Sequence, residues 1–111
     1  MSCIFCKIAS KEIPSKLLFE DDRLVAFDDL SPQAPIHFLV IPKIHVTSLN
    51  DLADTELAGH LLLKAKEIAV QKGIHQSGYR LVINTLENGG QSVFHLHLHV
   101  MGDRKMLWPP G

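Results

Sequence analysis

The stretch 92-SVFHLHLHVM-101 alternates imidazole with hydrocarbon. His95, His97 and His99 fall at every second position, and Phe94, Leu96, Leu98 and Val100 lie between them. Side chains two apart on a β-strand share a face and stand about 6.6–7 Å apart. The alternation therefore predicts a strand over Ser92–Met101, with hydrocarbon against a core and three histidines in a row roughly 13 Å long on the other side. Three readings of that row compete. A merely solvent-facing row is the plainest, but such positions more usually carry Thr, Lys, Glu or Arg. Two of the histidines could share a zinc ion, yet three along one straight strand suit tetrahedral zinc poorly, because zinc–nitrogen bonds are only about 2.0–2.1 Å long. The third reading is phosphate chemistry, since imidazole serves as nucleophile, proton carrier and, when protonated, donor to phosphate oxygens.

The residues on either side favour the third reading. Directly upstream lies Asn88-Gly89-Gly90-Gln91-Ser92. Glycines let backbone N–H groups approach an anion closely, and Gln91 and Ser92 add side-chain donors. A glycine pair alone is more often only a turn; leading straight into the histidines, it resembles a phosphate cradle. His37, at the head of 37-HFLVIP-42, is a candidate fourth imidazole.

Working outward, 3-CIFCKIASKEI-13 predicts a short helix ended by Pro14. The segments 16-KLLFED-21 and 24-LVAFDD-29 predict a hairpin. A proline-bounded loop, 31-SPQAP-35, precedes the strand that begins at His37. Asp54 is placed to cap a long helix with Leu57, Leu61, Ala65, Ile68 and Ala69 as its buried stripe, and Gly73 stops it. A strand, 79-YRLVIN-84, and a loop, 85-TLENGG-90, lead into the histidine stretch. Short links between the strands favour antiparallel pairing. The expected class is α+β: a five-stranded antiparallel sheet with one long and one short helix.

The chain has 111 residues, which suits one domain over 1–111, and it is 46% hydrophobic, enough for a core. Its net charge of −1 gives no pull toward nucleic-acid polymers or anionic membranes. The first residues have no long apolar core, and no run is long enough to span a bilayer, so a cytoplasmic location is the default expectation. In that compartment Cys3 and Cys6, spaced Cys-x-x-Cys, suggest metal binding or redox work before a disulfide.

The motif His95-x-His97-x-His99 with apolar intervening residues resembles the signature of the histidine-triad (HIT) superfamily. The segments 13-IPSKLLFEDDRLVAFDDLSPQAPIHFLVIPK-43, 78-GYRLVIN-84, 89-GGQSVFHLHLHVMG-102 and 108-WPPG-111 look like its histidine-triad nucleotide-binding branch. The resemblance covers essentially the whole chain. It implies a homodimer whose two sheets join, with the tail 102–111 near the interface. It also implies a purine nucleoside phosphoramidase that releases AMP or GMP and an amine. In that picture His97 attacks the α-phosphorus and becomes nucleotidylated. His99 and His37 hold the phosphate oxygens, His95 supports the site, and Ser92 contacts the phosphate and the departing amine. Asp29 takes the ribose hydroxyls, and Asn84 lies near the sugar–phosphate junction with Gly90 and Gln91 close by. Ile4, Phe5, Ile8, Phe27, Leu30 and Leu39 line a purine slot, and Trp108 walls the leaving group or anchors the tail.

The same resemblance implies a structural zinc on Cys3, Cys6, His45 and His95, with no cofactor needed for the chemistry. Asp103 and Lys105 depart from the Gly-Gly-Arg-Gln more usual in the branch, which bears on the leaving group. Other activities weighed are a dinucleoside polyphosphate hydrolase and a purine-nucleotide-binding interaction module with weak catalysis. His60 and His75 receive no role.

Overall fold

The computed structural model describes residues 3–111; Met1 and Ser2, included in the single-domain reading, lie outside the described residues. The elements run α1 (Ile4–Ala9), β1 (Leu17–Glu20), β2 (Leu24–Asp28), β3 (Ile36–Pro42), a 3-10 turn (Leu49–Asp51), α2 (Thr55–Gln71), β4 (Tyr79–Val82), α3 (Leu86–Gly89) and β5 (Leu98–Gly102). The strands form one antiparallel sheet in the order β1-β2-β3-β5-β4. This is the α+β architecture expected from the sequence.

The expected signals act on α2. The Asp54 carboxylate accepts the Leu57 N–H at 3.1 Å, and Leu57, Leu61, Ala65, Ile68 and Ala69 are its buried residues. Gly73 follows at φ +77°, a conformation that costs glycine nothing. This stripe meets Phe38, Val40, Leu96, Leu98 and Val100 in the larger core cluster. A smaller cluster lies apart from it: Phe5 and Ile8 of α1 pack with Val25, Phe27, Leu39 and Ile41. Alternate residues of β2 and β3 thus serve two cores, as the period of a strand buried on both faces requires.

Three local readings need correction. β5 begins at Leu98, so the predicted strand over Ser92–Met101 is paired only in its second half. The last β3–β5 pair is Val40 with Leu98. Farther along β3, Pro42 has no N–H to offer a ladder. The Leu96 N–H goes instead to the Val46 carbonyl at 2.6 Å, and the Pro42 carbonyl takes the His95 ring. The histidines therefore do not form one straight row. Second, α1 stops at Ala9, ahead of Pro14, because Lys11 turns into the left-handed region at φ +67°. Third, the loop 85–90 contains the single turn α3, closed by Gly90 at φ +78°.

Candidate active site

The backbone fixes the protonation pattern of each histidine. His97 Nδ1 lies 2.8 Å from the carbonyl oxygen of His95. A carbonyl only accepts, so Nδ1 carries the proton and Nε2 keeps its lone pair. That nitrogen is suited to attack an electrophile. Phe5 packs edge-on against the His97 ring with centroids 5.1 Å apart, fixing the ring's plane.

His37 and His99 are wired the other way. The Gln33 N–H donates to His37 Nδ1 at 2.9 Å, so the proton of neutral His37 sits on Nε2. That N–H donates to His99 Nδ1 at 2.9 Å, and the His99 proton is thereby placed on its own Nε2. Among the described residues, His99 Nε2 is a buried side-chain nitrogen with no hydrogen-bond partner. A buried unmatched donor is costly unless a ligand satisfies it. Burial, followed by the neighbouring His97 and His37, lowers the His99 pKa to about 4, against the opposing pull of Asp29. Burial lowers His37 as well, again opposed by Asp29. Asp29 Oδ2 lies 3.4 Å from His37 Nε2 and 3.8 Å from His99 Nδ1, while Oδ1 accepts the Ser31 N–H.

His97 and His99 open onto a cavity of about 270 Å³. Its walls include Ile4, Phe5, Ile8, Phe27, Asp29, Leu30, Leu39 and Ser92, all expected from the sequence. It also takes in Ser15, Ser31 and Val93, which sequence reasoning missed. Ser31 had a local signal, since Asp two residues before Ser folds an Asx turn; Ser15 and Val93 had none. His37, expected to hold phosphate oxygens, stands behind His99 and is not a wall, and besides His95 four other expected residues lie elsewhere. Gln91 accepts the Leu86 N–H and donates to the carbonyls of Thr47 and Val93, so its side chain braces the loop instead of facing a ligand. Asn84 and Gly90 are not among the cavity walls, and Trp108 is 82% exposed.

His95 is also turned out of the cavity. Its Nε2–H donates to the Pro42 carbonyl at 2.8 Å, which leaves Nδ1 unprotonated. Nδ1 lies 3.3 Å from Cys3 Sγ and 3.5 Å from Cys6 Sγ, and Cys6 Sγ lies 3.3 Å from His45 Nδ1. One ligand atom from each of the four residues falls within 4.8 Å of all the others. The edge of a tetrahedron with zinc–sulfur bonds of about 2.3 Å and zinc–nitrogen bonds of about 2.05 Å is roughly 3.5 Å, so the set fits structural zinc. Burial, then the Cys3 thiol, pushes Cys6 up to about 11; a divalent cation supplies the positive charge that ionises such thiols.

A fold with these elements and this histidine constellation defines a histidine-triad protein. The HIT domain family matches residues 10–106, and the chain belongs to that family. A HIT-like protein from Synechococcus elongatus is 51% identical over 110 residues, covering 97% of this chain and 96% of the relative. The crystal structure of a HIT family hydrolase from Legionella pneumophila superposes with a TM-score of 0.96 at 50% identity, covering 99% of this chain and all of that one. A histidine triad nucleotide-binding protein from Candida albicans gives 0.87 at 32%, covering 95% of this chain and 77% of that one. A zinc-bound histidine triad family protein from Mycobacterium smegmatis gives 0.83 at 33%, with coverage of 95% and 77%. No helix of the described residues is long and apolar enough to cross a membrane.

Proposed function

We propose that the protein hydrolyses purine nucleoside phosphoramidates through a nucleotidyl-His97 intermediate. The observation that carries this reading is the pairing of opposite tautomers at the cavity mouth. His97 Nε2 holds a free lone pair, and His99 Nε2–H is a donor without a partner. The first suits attack on phosphorus; the second suits the charge that develops on a phosphate oxygen. The purine lies among Phe5, Ile8, Phe27 and Leu39, and Asp29 takes the ribose hydroxyls.

In the first step His97 Nε2 bonds to the α-phosphorus and the P–N bond to the amine breaks. The departing nitrogen takes the Ser92 hydroxyl proton, which solvent replaces, and leaves as the neutral amine. Water then bonds to phosphorus, the P–Nε2 bond breaks, and the water's proton goes to solvent. His97 regains its lone pair, and nucleoside monophosphate is released. The four-residue metal site takes no step in this sequence. Two copies pair along the open edge of β4, where Leu81 is exposed, and this brings Trp108 of each tail to the other's cavity.

The test is turnover of an adenosine phosphoramidate bearing a fluorescent amine, wild type beside His97→Ala. Amine release that falls on the order of 10³-fold or more in the variant supports the reading. No release by wild type, with AMP still bound tightly, makes the protein a nucleotide-binding module instead. Preferential cleavage of dinucleoside polyphosphates also overturns the P–N assignment.

A further inference from the structure

The chain of hydrogen bonds that sets His99 does not end at Gln33. Gln33 lies in the loop between β2 and β3, and both of its backbone groups are engaged. Its N–H holds His37 Nδ1 at 2.9 Å, and its carbonyl accepts from Arg104 Nε at 2.9 Å. Arg104 belongs to the C-terminal segment that follows β5. The register brings the two segments together: Ile36 pairs with Gly102 and His37 with Met101, so the chain before β3 and the chain after β5 leave the sheet side by side. Asp103 turns the backbone at φ +68°, and Arg104 then reaches the Gln33 carbonyl. Its Nη1 also holds the Lys105 carbonyl at 3.2 Å.

We infer that Arg104 is a positioning residue for the phosphate donor, holding the Gln33 backbone in place and thereby fixing the tautomers of His37 and His99. The path is Arg104 Nε–H to the Gln33 carbonyl, Gln33 N–H to His37 Nδ1, His37 Nε2–H to His99 Nδ1, and His99 Nε2–H to the ligand. The carbonyl and the N–H of Gln33 belong to successive peptide groups joined at its Cα, so a carbonyl held by Arg104 fixes the position of that Cα and with it the reach of the N–H to His37. The rest of the loop is held more loosely. The Asp29 N–H to the His37 carbonyl closes its base, and the Gln33 amide to the Ser31 carbonyl and the Ser31 N–H to Asp29 Oδ1 brace it from within, but none of these holds the Gln33 carbonyl. Without Arg104, the Gln33 backbone is free to shift and carry its N–H off His37 Nδ1. Neutral His37 then exchanges between its two forms, and in one of them it presents a lone pair, not a proton, to His99.

The functional part of this inference rests on the phosphoramidase reading, but its structural part is tested without substrate. Side-chain nitrogen-15 spectra of ligand-free protein report which ring nitrogen of His37 is protonated. Wild type is expected to show the proton on Nε2, and Arg104→Met a mixture of the two forms. Arg80→Met is the control. Arg80 donates to the Leu107 carbonyl and so anchors the same tail without touching Gln33. It should leave the His37 signals unchanged, and Arg104→Lys, which keeps a donor, should restore them in part. On the adenosine phosphoramidate, kcat should fall about tenfold in Arg104→Met with KM nearly constant, less than the 10²–10³ expected for complete loss of such a donor. An unchanged His37 in Arg104→Met overturns the inference, as does an equal change in Arg80→Met, which signals a loosened tail. Failure of the phosphoramidase reading shows separately, as absent turnover by wild type.

Discussion

Two clusters of imidazoles lie a few residues apart in this chain, and they are prepared for opposite partners. Around His95 the ring is held by a carbonyl, that of Pro42, so the other nitrogen offers a lone pair to a cation. Around His37 the ring is held by an N–H, that of Gln33, so the other nitrogen offers a proton to His99, which in turn presents an N–H without a partner. Asp29, His37 and His99 also form a possible metal group by distance alone. The Gln33 N–H argues against that use, because ligation through His37 Nε2 would drive a proton onto Nδ1, facing another donor. Side-chain type does not separate a cation-accepting arrangement from an anion-accepting one here; the backbone group behind each ring does.

The comparison breaks first at the metal side. Cys3→Ser with Cys6→Ser removes both sulfurs. If zinc is held at about 1,000 times its Kd, the loss is about 4 kcal/mol, a fall in Tm of more than about 10 °C for a domain of this size. Metal analysis should give one zinc per wild-type chain and none in the double variant. Equal melting of the two proteins with zinc present would show that the cluster is only a packing feature.

Acid should find the other cluster. His99 is lowered to about 4 from an ordinary value of 6.5, chiefly by burial. Between those values the unfolded chain binds the proton and the folded chain does not, so stability rises with pH and is lost on acidification. The loss attributable to His99 runs from about pH 6.5 down to about pH 4, then stops growing, and is on the order of 3 kcal/mol. His37, lowered by the same cause, contributes in the same direction. Urea unfolding of wild type and His99→Gln across this range checks it, and parallel pH profiles would contradict the assignment.

The smallest effect concerns the turn that presents Arg104. Asp103 holds φ +68°, which a residue with a Cβ adopts at a cost. Asp103→Gly should raise stability by roughly 0.5–1 kcal/mol and leave the His37 tautomer as it is. A drop in stability would mean that the Asp103 side chain contributes more than its backbone strain removes.

How far these features were legible in the sequence follows from the range of the interactions that make them. α2 was readable in full, since Asp54, its apolar stripe and Gly73 act within a few turns. The apolar walls of the cavity came through the family motif. β5 was read too long because alternation records side-chain facing and not ladder partners; the missing N–H of Pro42 and the Val46 carbonyl lie far away in the chain. Gln91 looked like a ligand donor because nothing local reveals its bonds to Leu86, Thr47 and Val93. The Arg104–Gln33 contact needs the register of β3 against β5, which no local pattern contains.

α1 has only six residues, far below the length at which a helix persists by itself in water. It carries Ile4, Phe5 and Ile8 to the cavity and Cys6 to the metal cluster. Part of the wall around the cavity is therefore a helix that holds its shape only through its packing on β2 and β3 and through Cys6 at the metal cluster. Loss of the two cysteines is then expected to loosen the cavity wall as well as to lower the melting temperature.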